Sequence, residues 1–147
     1  MKHRSGLFVV LLIAVVWVAG CAAQPASHGG PVADYASLID ALRTGGATVE
    51  SAGAVSQPFF SVAGRVIRVE GADVQIFEYE NEEMTEADAA KISPDGSSIG
   101  TSMVTWVSTP HFYKAGKLIV LYVGDDAGVI AALDAALGAE FAGRGES

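Results

Sequence analysis

The groups in this chain that could do chemistry in water are one imidazole, a few hydroxyls, a run of carboxylates and one thiol. Of three histidines, His3 lies in a short basic stretch and His28 in a Gly/Pro-rich one, which leaves His111 for the part that folds. A single imidazole excludes sites built from several histidines. It allows a serine hydrolase, with Ser97, Ser98, Ser102 or Ser108 as nucleophile, His111 as base and an aspartate orienting it. Yet the segment Gly96-Ser97-Ser98-Ile99-Gly100 lacks the Gly-x-Ser-x-Gly elbow and joins no strand to a helix. The expectation is therefore no catalytic residue, with that His111-centred hydrolase as the alternative.

The acidic run Glu78, Glu80, Glu82, Glu83, Glu86, Asp88 is the densest charge feature. It lacks the alternating oxygen ligands, central glycine and closing glutamate of a calcium loop, so it reads as a solvated strand end and helix first turn. Val123-Gly124-Asp125-Asp126-Ala127-Gly128 joins a strand to a helix, but two aspartates there would repel phosphate. No metal and no cofactor is expected. The remaining candidates are Phe59, Phe60, Trp106, His111, Phe112 and Tyr113, which lie in or beside expected loops. Buried, they close the core. Exposed, they form a surface for an envelope protein or a small apolar ligand.

The thiol is Cys21, the only cysteine, so no internal disulfide exists. Upstream, Lys2, His3 and Arg4 form a basic start, and thirteen apolar residues run from Leu7 to Ala19. As a helix that run measures about 20 Å, short of a hydrocarbon core of about 30 Å, and it suits a secretion signal. It ends Val18-Ala19-Gly20-Cys21, which resembles the lipobox of bacterial lipoproteins. That resemblance implies cleavage between Gly20 and Cys21, a diacylglyceryl group on the thiol and an acylated new amine carrying chains such as palmitate. The partner is then membrane lipid, held on the extracytoplasmic side. Residue Ala22 is not the aspartate linked to inner-membrane retention, which points to the outer membrane if the host has one, and otherwise to the outer face of the cytoplasmic membrane.

Beyond the signal, seven basic residues face seventeen acidic ones, a net charge of −10. Such a surface repels nucleic acid and anionic headgroups. The expected organisation is a signal over 1–20, a lipidated cysteine with a flexible tether over 21–33, one domain over 34–143 and a disordered tail over 144–147.

Periodicity predicts a helix over 34–43, its stripe Tyr35, Leu38, Ile39 and Leu42, stopped by Gly45-Gly46. An extended stretch over 47–55 and a β-hairpin over 64–80 follow. Gln75, Phe77 and Tyr79 share one face of its second strand, with Val74, Ile76 and Glu78 on the other; neither face is purely polar, so either both are partly covered or one apolar face is exposed. A second helix is expected over 80–92 with Asn81 as cap, strands over 102–107 and 117–123 joined by a long connection over 108–116 that could extend one of them, and a last helix over 126–137. The order favours an α+β fold: one mainly antiparallel sheet of about five strands, with about three helices packed on one face. The pieces SQPFFSVAGRVI, ISPDGSSIG and PHFYKAGKLIVLYVGDD resemble a family of small bacterial lipoproteins that has no assigned activity, which implies a shared fold and export route. The expected function is a membrane-anchored binding module of the cell envelope, with a purely structural lipoprotein as a further alternative.

Overall fold

The computed structural model describes residues 31–143. The signal, the Val18-Ala19-Gly20-Cys21 motif, His28 and residues 144–147 lie outside them.

Three helices form where the caps allow. Helix α1 (Tyr35–Thr44) starts at Asp34, whose carboxylate accepts the Ser37 amide at 2.9 Å while the Ser37 hydroxyl oxygen accepts the Asp34 amide at 3.0 Å. Leu38, Ile39 and Leu42 are buried as the stripe requires. The two-turn helix α2 (Glu82–Ala89) is capped by Asn81. Helix α3 (Ala127–Leu137) begins where Asp126 accepts two backbone amides, and ends at Gly138.

The strands β1 (Val49–Val55), β2 (Gly64–Val69), β3 (Ala72–Glu78), β6 (Pro110–Ala115) and β7 (Leu118–Val123) form one antiparallel sheet in the order β1-β2-β3-β7-β6. Two short strands, β4 (Ser98–Ile99) and β5 (Ser102–Met103), pair separately. This is a single α+β domain. The β2–β3 turn is made by Glu70 and Gly71, both at positive φ, and the left-handed Glu70 is held in place because its carboxylate accepts the Thr48 amide. Strand β7 lies inside the sheet, between β3 and β6. Its alternate residues feed two cores: Leu118, Val120 and Tyr122 on one face, Ile119 and Leu121 on the other.

Three expectations need correction. The fifth strand of the sheet is 110–115, read from sequence as a connection, while 102–107 contributes only the two residues of β5. The cause is local: the tight turn at Gly116 and Lys117 folds 110–115 straight back onto β7, with Ala115 opposite Leu118, and takes the place beside it. The helices also divide between faces. Helices α1 and α3 pack with Val69, Val74 and Tyr113, whereas Ala89 of α2 packs with Phe77, Tyr79 and Phe112 on the opposite side. Third, order begins before residue 34: Val32 is buried, and the Ala33 carbonyl accepts the Lys117 amide.

The two sheet edges are treated differently. Residues 141–142 run along β6, with Phe112 donating to the Ala142 carbonyl and Phe141 donating to the Phe112 carbonyl. Strand β1 is exposed along its middle and is interrupted by a bulge between Ser51 and Gly53, a device that blunts open edges.

Candidate functional site

The sheet face opposite α1 and α3 is roofed by two segments, 56–62 and 90–109, rather than by a long helix. Aromatic rings make the roof continuous. Phe60 lies 4.4 Å from Phe77 of the sheet, Phe59 sits 4.9 Å from Phe60 and 6.4 Å from Trp106, and Trp106 is 5.7 Å from Phe112. Such tilted and edge-on contacts suit the ring quadrupoles. The Trp106 indole N–H donates to the Gly96 carbonyl at 2.7 Å, which fixes the ring against the β4–β5 hairpin.

Of the six aromatic-loop candidates, Phe60, His111, Phe112 and Tyr113 are buried, and only Phe59 and Trp106 retain some exposure. Nor do all six meet. Phe112 faces the aromatic roof, while Tyr113 is in the core under α1 and α3, where its hydroxyl donates to Asp134 at 2.9 Å. Adjacent strand residues point to opposite faces, so 111–113 cannot act as one patch. What the sequence reading missed lies beside Trp106: Met103 is 89% exposed and Val107 is 99% exposed. Strand β5 ends at Met103; Val104 still donates to the Ser97 carbonyl, but no strand pairing spans 105–109 to turn Val107 inward. One available signal was charge, since residues 51–64 and 96–113 contain no Asp, Glu, Lys or Arg.

His111 is built into a clamp. Its Nδ1 lies 2.7 Å from Glu140 Oε2 and its Nε2 lies 3.0 Å from the Gly124 carbonyl, with both side chains nearly excluded from solvent. A carbonyl only accepts, so Nε2 carries a hydrogen, and the imidazole and Glu140 share a proton across the other contact. Both ring nitrogens are thus committed, and neither to a serine. Ser108 donates to Asp125, Ser97 to Asp95, and Ser102 is exposed. Hydrogen bonds from Ser108 and then Thr109, with His111 nearby, hold Asp125 below the usual carboxylate range.

The acidic run does not act as a unit. Glu78 accepts the Tyr35 amide and approaches Arg65, Glu86 pairs with Lys114, and Glu80, Glu82 and Glu83 face water. Asp88, expected to be solvated, is instead buried. It accepts the Ser61 amide and hydroxyl at 2.8 Å, the Tyr79 hydroxyl at 2.9 Å and the Lys91 ammonium at 2.6 Å. Burial alone would raise its pKa, but the bonds from Lys91, Ser61 and Tyr79 outweigh that and bring it to about 2. Burial, and then Asp88 itself, push the Tyr79 phenol above its ordinary range. The cluster ties the 56–62 roof to α2 and β3.

Among the described residues no three His, Cys, Asp or Glu side chains gather as a metal cluster, and no helix is long and apolar enough to cross a membrane. A cavity of about 300 Å³ is bordered by Pro94, Asp134, Glu140 and Phe141, and its two carboxylates already engage Tyr113 and His111. A groove of about 230 Å³ between α1 and α3 is lined by Val32, Leu42, Ala132 and Ala136. No protein-family model, curated protein or solved structure matches the chain.

Proposed function

We propose that this chain is a lipid-anchored extracytoplasmic protein that works by binding, through the exposed apolar residues around Trp106. The anchor rests on Lys2, His3 and Arg4, the apolar run from Leu7 to Ala19, and Val18-Ala19-Gly20-Cys21. The binding role rests on one observation: Met103 and Val107, on either side of the half-buried Trp106 in the chain, stand almost wholly in water. Burying an apolar side chain of this size is worth about 1.5–3 kcal/mol, so these residues hold free energy that only a partner can recover. The platform beneath them is packed and hydrogen-bonded, so binding needs little ordering.

Two measurements test this reading. Mass spectrometry of the mature protein from its host is expected to find an acylated N-terminus at Cys21, and Cys21→Ala to abolish both cleavage and acylation; an unmodified Cys21 refutes the anchor. A photo-reactive residue at position 107 is expected to cross-link strongly in the intact envelope, and one at the exposed position 82 weakly. Equal labelling from both refutes the binding surface.

A further inference from the structure

Resting on that reading, we propose that the surface formed by residues 56–62 and 96–109 docks on the bilayer that carries the anchor. Met103 and Val107 enter the headgroup boundary and Trp106 lies at the interface.

Charge selects this face. The chain beyond the signal carries seventeen acidic and seven basic residues, so most orientations bring carboxylates toward the lipid. The two roof segments belong to stretches, 51–64 and 96–113, that hold no acidic or basic residue, and Phe59 and Trp106 bring them together. Along the chain Met103 and Val107 are flanked by the hydroxyls of Thr101, Ser102, Thr105 and Ser108, and the carboxylates bonded to these stretches are Asp95, at Ser97, and Asp125, at Ser108. Hydroxyls hydrogen-bond headgroups without the cost of desolvating an ion, and tryptophan favours the membrane–water boundary.

Geometry permits the contact and makes a weak one sufficient. Nine residues, 22–30, lie between Cys21 and the first described residue, Pro31. Ten Cα–Cα steps reach at most about 33–36 Å, comparable to the diameter of a domain of this size, so the length of chain is enough for this face to reach the bilayer. It also keeps the domain at high local concentration against the bilayer, where two or three inserted side chains suffice. The hairpin is preset for this. Ile99 is buried, Gly100 turns at φ 61°, and the ladder between Ser98 and Met103 holds the Met103 backbone while its side chain faces out.

The test uses the acylated mature chain in phosphatidylcholine vesicles with and without doxyl-labelled lipid. With Trp17 removed in the signal, Trp106 is the one tryptophan and reports its own depth. The chain is expected to float with the vesicles and to lose more than half its tryptophan emission to shallow doxyl groups. A Met103→Asp, Val107→Asp double variant is expected to float equally, with the docked-to-undocked ratio lowered at least about tenfold. A Met103→Ser, Val107→Ser pair is expected to lower it less, in the same direction. A floating wild-type chain with unquenched Trp106 overturns the docking while leaving anchor and surface intact, for a protein partner. Quenching equal in the aspartate variant and wild type also overturns it. A chain that does not float overturns the anchor and the docking together.

Discussion

Replacing Asp88 with asparagine tests the polar cluster that holds the aromatic roof. In the native protein one buried carboxylate satisfies the Ser61 amide, the Ser61 and Tyr79 hydroxyls and the Lys91 ammonium. Asparagine keeps the shape but removes the charge and turns an N–H group toward donors. The descent of the Asp88 pKa from 3.8 to about 2 corresponds to about 2 kcal/mol of preference for the charged form. Half of the Lys91 side chain is exposed and screened by solvent, so about 1–2 kcal/mol is the share expected in stability. Because folding lowers this pKa, the contribution is complete above about pH 4 and is lost as pH falls through 2. Urea or thermal unfolding of wild type and Asp88→Asn at pH 7 and near pH 2 reads it directly. At pH 7 the variant is expected to be less stable by about 1–2 kcal/mol, a fall of roughly 4–10 °C in Tm. The gap is expected to shrink toward pH 2, where the wild-type carboxylate becomes neutral; carboxylates elsewhere protonate in both proteins and cancel. Equal stability at pH 7, or a gap unchanged by acid, refutes the account of this cluster.

His111→Ala removes the imidazole's bonds to Glu140 and to the Gly124 carbonyl in a nearly dry site, and a loss of about 1–3 kcal/mol is expected by chemical denaturation. Hydrogen exchange is expected to quicken at the Phe141 and Gly143 amides, which bond to Phe112 and Pro94, before it does on β7. Gly64→Ala places a methyl 2.7 Å from the Phe77 ring and 2.9 Å from the Ile76 carbonyl, so a Tm loss equivalent to about 1–3 kcal/mol is expected. Met103→Ser with Val107→Ser is expected to change stability in solution by less than about 0.5 kcal/mol. A larger loss in thermal melts would show that these side chains pack inside the fold.

Helix positions were readable because the stripe in α1 and the capping residues Asp34, Asn81 and Asp126 are local signals. So was the β2–β3 hairpin, whose Glu70-Gly71 turn and flanking runs lie within a dozen residues. The exchange of 102–107 for 110–115 in the sheet was not readable, since both segments have strand-forming composition and only the turn at Gly116 decides which reaches β7. For the aromatic residues, sequence reasoning favoured burial, as seen for Phe60 and Phe112, but it grouped Tyr113 with Phe112 although they face different cores. Met103 and Val107 went unnoticed because residues in an expected strand look like core.

By itself the sequence determined the helix caps, the apolar residues on both faces of the second hairpin strand, and the concentration of negative charge away from two uncharged stretches. These follow from neighbours within a few residues or from composition, and need no long-range contact. Tertiary structure alone decided that Asp88 is buried with Ser61, Tyr79 and Lys91, that His111 meets Glu140, and that the two uncharged stretches join at Phe59 and Trp106. Each of those joins residues far apart in the chain through the packing of the sheet. Burial and exposure are properties of that packing, not of residue type.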